Sequence, residues 1–599
     1  MRAEPRLQRW RGLTRAAAAV VGVAALALVT SCGSNDYGAT YGATVRADSG
    51  GAVTLSGTLS GTPSGGELTA AIRDDPPGFN PYAGRSTSVL EAVTRLLHAP
   101  LVRVDRVTGD VQPWLAKSWT SSNDGLTWTL RLRDGVRFSD GAPFTSADVL
   151  FSLSAVYAPG GASAIGDSLL VGGRPITATA PDRVTVVLRF PARLGTGLQI
   201  LDNLPILPRH KLEPAWRAGT LAGQWTAATA PGEIVGLGPF RLAGYRPSER
   251  VMLERNPFYW RRDGQGAVLP YLDRLTLAIS RDQNVEALRI QHGQIDIGAR
   301  EVRPEDYAAL RREAAQGRVR LADAGVGLDP NMLWFNLSAS AYAGDARRSW
   351  LQSVEFRKAI SHAVNRQAIV DQVYLGAAVP VFGPVTPGNR AWYVPEARFD
   401  YDPAAARALL AGLGLTDRDG DGVLDDRQGK PVRFSIQSQQ QDTLRMRTLT
   451  VLQEHLRQVG IAVDLVGVDT GTIVKNWGDG RYDAIYFGVE ATSLDPAANL
   501  DFWLSSGSFH LWNPSQKTPA TDWERAIDDV MQRQAVAPDP AERRRLFGVA
   551  QRILAGQLPV ICFAAPKLVV AMTARVANAT PVQLKPAVLW NADVLAVGR

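Results

Sequence analysis

The stretch Asp417 to Gly429, DRDGDGVLDDRQG, sets carboxylates at alternate positions ahead of a glycine. Hard oxygen ligands in that spacing suit a calcium ion. In EF-hand order Asp417, Asp419 and Asp421 take the first, third and fifth places. Gly422 takes the turn, Val423 offers its carbonyl, Asp425 takes the ninth place, and Gln428 stands where a bidentate Glu belongs. A neutral amide brings one oxygen and no charge, so EF-hand affinity is not expected. Two outcomes stay open: a structural calcium on Asp417, Asp419, Asp421, the Val423 carbonyl and Asp425, or a solvated polar turn.

Other residues offer binding rather than catalysis. Trp503, Phe509 and Trp512, in FWLSSGSFHLWNP, have faces that stack on a ligand or fill a core. Ser86, Thr87 and Ser88 precede an amphipathic pattern, where hydroxyls and free N–H groups at a helix start take a carboxylate or carbonyl, or where Ser88 simply caps the helix. His510 has no second His or Cys beside it to complete a metal site. The six histidines are scattered, and no HExxH, CxxC, P-loop, GxGxxG or GxSxG occurs. Cys562 lies in the apolar run LPVICFAAP and reads as a buried thiol. No catalytic residue is assigned, and the chain is not read as an enzyme.

These residues need elements to hold them. Leu68, Ala70 and Ile72 alternate as in a strand, and Ser88 with Glu91 has capping-box spacing. LTWTLRLRDGVRF alternates on both sides of Asp134-Gly135, which predicts a hairpin there. Thr145 and Asp148 form a second capping pair. Two βαβ patterns come next along the chain: LTLAIS, NVEALRIQHG and IDIGA, then VRFSIQSQ, RTLTVLQEHLRQVG and IAVDLVGV, with YDAIYFGV as a later strand. An α/β class with two parallel-sheet lobes is expected, and open α/β sheets bind ligands beyond the carboxyl ends of their strands. That rule points to the segment after YDAIYFGV, Glu490 to Trp503.

A chain of 599 residues exceeds one hydrophobic core, and 45% hydrophobic with 21% charged residues fits a soluble globular body. Arg2, Arg6, Arg9, Arg11 and Arg15 precede the apolar run Ala16–Thr30, which is shorter than the ~20 residues needed to span a bilayer and reads as a signal-peptide core. Its end, VTSC, resembles the lipobox of bacterial lipoproteins, with Cys32 the lipidated first mature residue. Removing residues 1–31 takes five basic and one acidic residue and lowers the formal charge from +7 to +3, so no nucleic-acid partner is expected. Residues 32–65, rich in Gly, Ser and Thr, read as a flexible tether.

Several segments in order resemble the family-5 extracellular solute-binding proteins of ABC transporters, the dipeptide- and oligopeptide-binding group. They include Leu115–Leu153 (LAKSWTSSNDGLTWTLRLRDGVRFSDGAPFTSADVLFSL), LPILPRHKL, GLGPFRLAGYRPSERVMLERNPFYW, FRKAISHAVNRQAIVDQVYLGAAVPVFGPVTPGNRAWY and YDAIYFGVEATSLDP. The resemblance implies a type II periplasmic-binding-protein fold, two α/β lobes with hinge strands and an extra domain inserted in lobe I. Carried over, lobe I takes 66–95, 235–325 and a return at 560–599, the insertion takes 96–234, and lobe II takes 326–559.

It further implies a monomer, lipid-anchored outside the cytoplasm, in the periplasm or on the outer face of the cell membrane. Such a protein closes two lobes on a peptide or peptide-like solute and delivers it to the ABC permease. In peptide-binding relatives an Asp three residues before a DP-type pair neutralises the ligand ammonium. Here the pair is Asp495-Pro496 and that position holds Thr492, which brings no charge. Glu490 lies two residues earlier. The ligand-binding set is therefore expected to be Glu490, Thr492, Asp495, Trp503, Trp512, Ser86, Thr87 and Ser88. The alternatives are a sugar, opine or metal chelate as the solute and, in another class, a secreted hydrolase. No cofactor is required beyond the structural calcium of the acidic loop.

Overall fold

The computed structural model describes residues 65–83, 88–158, 164–171, 174–299, 301–395, 398–489, 493–514, 516–584 and 587–598. The expected lipidation residue Cys32 and the expected ligand residues Ser86, Thr87, Glu490 and Thr492 lie outside the described residues, as does the side chain of Ser88. The described residues divide into two units, one of 65–325 with 568–598, the other running from Val326 to Lys567. No helix among the described residues is long and apolar enough to cross a membrane.

In the first unit the alternating Leu68, Ala70 and Ile72 are the buried side chains of strand β1 (Glu67–Ile72). Helix α1 (Ser88–Leu97) buries Val89, Val93, Leu96 and Leu97. Its Glu91 pairs with Arg95 one turn on, at 3.1 Å. Strands β2 (Ala116–Ser121) and β3 (Thr127–Leu132) form a hairpin turned by Ser122–Gly125. The hairpin predicted at Asp134-Gly135 is absent. After Leu132 the chain leaves the sheet, and the next tight turn is Asp140-Gly141, where Phe138 N–H donates to Ala142 O. Alternation placed β3 correctly but carried no information about its partners, which are β2 and a later strand.

Helix α2 (Ser146–Val156) is capped as its sequence predicts, with Thr145 N–H donating to Asp148 Oδ2 at 2.8 Å. Strands β4 (Thr177–Asp182) and β5 (Thr185–Arg189) complete a four-stranded sheet in the order β2-β3-β5-β4. Strands β6 (Phe240–Arg246), β7 (Arg250–Arg255) and β8 (Arg274–Ile279) join β1 in the order β1-β8-β7-β6, with β1 and β8 parallel. Helix α3 (Gln283–Gln291) crosses from β8 to Ile297, which bridges Ala70 in parallel. That is the first predicted βαβ unit. One continuous core of fully buried side chains, among them Leu68, Leu130, Val186, Leu188 and Leu275, runs under both sheets. Each such side chain contributes roughly 1.5–3 kcal/mol by burial.

The second unit is built on one five-stranded sheet. Its strands are β9 (Met332–Phe335), β10 (Arg433–Gln439), β11 (Ala462–Val468), β12 (Ala484–Phe487) and β13 (Val560–Cys562), in the order β11-β10-β12-β9-β13. Strands β10, β11 and β12 are parallel, and β9 runs antiparallel to β12 and β13. Helix α4 (Thr443–Arg457) links β10 to β11, and Gly460 supplies the positive φ (+82°) that turns the chain out of it. Helices α5 (Asp522–Val536) and α6 (Pro540–Gln557) pack on each other later in this unit. The α/β class expected from the sequence is the one observed.

Candidate functional site

The carboxyl ends of β10, β11 and β12 bring a polar cluster to one end of the second sheet. Arg445, in the first turn of α4, is its hub. Its Nε donates to Asn331 Oδ1 at 2.8 Å, its Nη1 donates to Gln439 Oε1 at 2.7 Å, and its guanidinium lies 4.2 Å over the Phe487 ring. Asp442, the N-cap of α4, pairs with the same guanidinium at 3.3 Å. The segment leaving β12 begins under this cluster at Gly488. A Cβ there would sit 2.7 Å from Asn331 Oδ1, so any larger residue would push the Asn331 side chain aside.

The far end of that segment is tied as firmly. Asn389 Nδ2 donates to the Leu494 carbonyl at 2.8 Å, and Asp495 N–H donates to Ser493 Oγ at 3.1 Å. The Asp495 carboxylate receives Arg543 Nη1 on Oδ2 at 2.7 Å and Nη2 on Oδ1 at 2.6 Å, while Oδ1 also accepts Ala497 N–H. Arg543 Nε donates to the Gln534 carbonyl, so the guanidinium ties Asp495 to the α5–α6 hairpin. Both side chains are buried. Positions 490 and 492 thus fall between two fixed anchors, Gly488 and Leu494–Asp495.

The geometry gives the surroundings of three of the expected ligand residues. Asp495, expected to meet a ligand, has its carboxylate engaged by Arg543 and by a helix-start N–H. Trp503 is 4% exposed and packs edge-on against Phe547 (centroids 5.0 Å, 80°) and Phe502 (5.2 Å, 79°). Trp512 is 1% exposed, lies 4.1 Å from the His510 ring, and donates its Nε1 to Glu524 Oε1 at 3.1 Å. Both indoles are buried rings of the second unit, Trp503 against α6 and Trp512 bonded to α5. Phe509 is half-buried and stacks on Trp477 at 6.2 Å.

His510 faces Glu524: its Nε2 lies 3.1 Å from Oε1. Burial opposes the Glu524 charge, yet hydrogen bonds from His510, Trp512 and Thr521 together with the His510 ring hold its pKa down to about 2. Asp501 is the opposite case. Burial pushes it up to about 6, offset only in part by backbone N–H donors.

In the acidic loop, oxygens of Asp417, Asp419 and Asp425 come within 4.8 Å of one another. Asp421 is not among them, and its Oδ1 accepts the Val423 N–H at 2.7 Å in a local turn. The other carboxylates also hold backbone. Asp417 receives Gly420 and Gly422 N–H, and Asp425 receives Arg418 N–H at 3.0 Å. Cys562 is buried in β13, and burial pushes its thiol up to about 12, which agrees with an inert side chain.

Arg445, Asn331, Asn389 and Arg543 escaped the sequence reading. Arg543 did leave a signal: it stands on the helical stripe that continues through Leu546, Phe547, Ala550 and Leu554, all buried. A charge on an apolar stripe requires a partner.

Residues 110–510 match the family model of bacterial extracellular solute-binding proteins, family 5. Among curated proteins, a probable ABC transporter-binding protein of Deinococcus radiodurans is 28% identical over 509 residues, 79% of this chain and 84% of that protein. A di/tripeptide-binding protein of Pseudomonas aeruginosa is 26% identical over 518 residues, 81% of this chain and 86% of its own. Among solved structures, an ABC transporter substrate-binding protein of Listeria monocytogenes superposes with a TM-score of 0.72 at 23% identity, covering 90% of this chain and all of that one.

Proposed function

Since this chain belongs to family 5 of the bacterial extracellular solute-binding proteins, we propose that it captures a peptide or peptide-like solute and delivers it to an ABC permease. Solute binding for an ABC transporter is the role common to its relatives, and the type II periplasmic-binding-protein fold is the fold it shares with them. The peptide reading rests on one observation: a relative named for di- and tripeptide binding aligns over 81% of the chain. On this reading the ligand meets the segment at 489–493, which the Arg445 cluster and the Asp495–Arg543 pair hold at its two ends. An extended peptide backbone there pairs with chain edges largely independently of its side chains.

Thr492 favours a second reading within the same role. A desolvated ammonium needs a carboxylate, and threonine supplies none. Glu490 is the remaining local carboxylate; without its help the solute is N-blocked or not a peptide. Calorimetry with matched free and N-acetylated dipeptides separates the two. Tighter binding of the free form, lost in Glu490→Gln, supports the peptide reading with Glu490 as counter-ion. Equal binding, or binding only of the acetylated form, moves the assignment to blocked or non-peptide solutes. Cys32 is proposed as the lipidated residue that tethers the chain outside the cytoplasm through residues 32–65.

A further inference from the structure

The chain passes between its two units at two places, Gly325–Val326 and Lys567–Leu568. Inside the second unit these crossings are fastened to each other and to one loop. Gly327 N–H donates to the Pro566 carbonyl at 2.8 Å, and Lys567 N–H donates to the Ala377 carbonyl at 2.8 Å. Ala378–Pro380 continue this contact as a short antiparallel ladder with Ala564–Pro566. The chain then enters the loop Phe382–Asn389, FGPVTPGN. Pro384 and Pro387 fix φ at two of its positions, which stiffens it.

Within this loop Thr386 is fully buried, and its Oγ1 donates to the Gly327 carbonyl at 2.6 Å. A Cβ at Gly388 would lie 2.0 Å from the Val326 carbonyl oxygen, so the loop backbone rides directly on the first crossing. Asn389 N–H donates to the Thr386 carbonyl at 3.0 Å, and Asn389 Nδ2 donates to the Leu494 carbonyl at 2.8 Å. Asn389 Oδ1 is buried and meets no donor among the described residues, a cost that an apolar residue filling the same space would avoid. Links therefore run unbroken from Pro566 through Gly327, Thr386 and Asn389 to Leu494, which precedes the Asp495–Arg543 pair.

We propose that Thr386 and Asn389 form a strut that couples the Leu494–Asp495 anchor to both chain crossings. They are positioning residues: a displacement of the anchor is passed to the Val326–Gly327 backbone instead of being absorbed in the loop. A solute that contacts the anchored segment differently in two states then biases the crossings as well. That use rests on the solute reading above, whereas the strut is measurable without a solute.

Contact alone does not establish coupling; cutting one end while reading the other does. Hydrogen-exchange mass spectrometry of the full chain, with no solute added, follows the amides of Gly327, Asp495 and Ala497. Thr386→Val cuts the strut at the crossing and is expected to speed exchange at Asp495 and Ala497 at least three-fold. Asn389→Ala cuts it at the anchor and is expected to speed exchange at Gly327 at least three-fold. Thr386→Ser keeps the hydroxyl and is expected to exchange as the parent chain does, and β10 and α4 are expected to keep parent rates in all three variants. If Thr386→Val melts early, Asn389→Ala decides alone. Effects confined to the end that was cut overturn the proposal, as does an equal rise throughout the unit, which is general destabilisation. A Thr386→Ser chain that exchanges like Thr386→Val also overturns it, since the hydroxyl is then not the link. Each of these failures leaves the solute assignment standing, because no solute is present.

Discussion

Arg543 and Asp495, 48 residues apart in sequence, face each other through two parallel hydrogen bonds of 2.7 and 2.6 Å inside the second unit. Planar guanidinium against planar carboxylate is the strongest form of this pair, and both groups are out of water. The pair closes a segment that begins under Arg445 and carries the residues proposed to meet the solute.

Removing one partner leaves a buried charge uncompensated. Asp495→Ala and Arg543→Ala are each expected to cost about 3–5 kcal/mol, and Asp495→Leu with Arg543→Met together less than the sum. Denaturant melts of the single and double variants check this. Additive losses would mean that the two side chains do not act as a unit.

Asp501 makes stability pH-dependent in the unusual direction. Its folded pKa is raised to about 6 by burial, so the folded state holds the proton more tightly than the unfolded chain. Its contribution is full below about pH 4 and is lost as pH rises through 6. Asp501→Asn should therefore raise the melting temperature at pH 8 while leaving it nearly unchanged at pH 4, a difference on the order of 2–3 kcal/mol at most. Parallel melts of the two chains across that range decide it.

Glu524 works with the opposite sign. Held at about 2 in the folded chain, it contributes stability above the ordinary carboxylate range that is lost as pH falls from about 4.5 toward 2. Glu524→Gln is expected to lose about 2–4 kcal/mol at neutral pH, since His510, Trp512 and Thr521 all bond to its oxygens. It should also flatten the acid limb of the stability profile. An unchanged acid limb would assign that limb to other carboxylates.

The acidic loop is proposed to take calcium on Asp417, Asp419 and Asp425. Millimolar calcium should raise the melting temperature by a few degrees, and Asp417→Asn/Asp425→Asn should remove the rise, whereas Asp421→Asn should keep most of it. Identical melts with calcium and with a chelator leave the loop as a hydrogen-bonded turn.

The sequence was most legible where structure is local. The alternation of Leu68, Ala70 and Ile72, the Thr145–Asp148 cap and the βαβ run closed by Gly460 were all readable from spacing, because period and capping act within a few residues. Partnership was not. β3 alternates clearly, yet which strands flank it depends on β5, more than fifty residues later. The same holds for the site. The segment after β12 could be located by the carboxyl-end rule, but the burial of Trp503 and Trp512 was not legible, because an aromatic residue carries no mark of the side it faces. Arg543 and Glu524 stand among buried apolar residues on their helices, a signal the sequence reading did not use, and only the fold says that Asp495 and His510 answer them.

Whether this chain holds an intact peptide-like solute for transport is decided by native mass spectrometry of the full chain purified from its own cell envelope, followed by denaturation and identification of the released molecule. One intact peptide or peptide-like molecule per chain, exchangeable for added peptides, is the result expected. A hydrolysed product, or a chain that carries nothing and takes up no peptide from a broad panel, would contradict it.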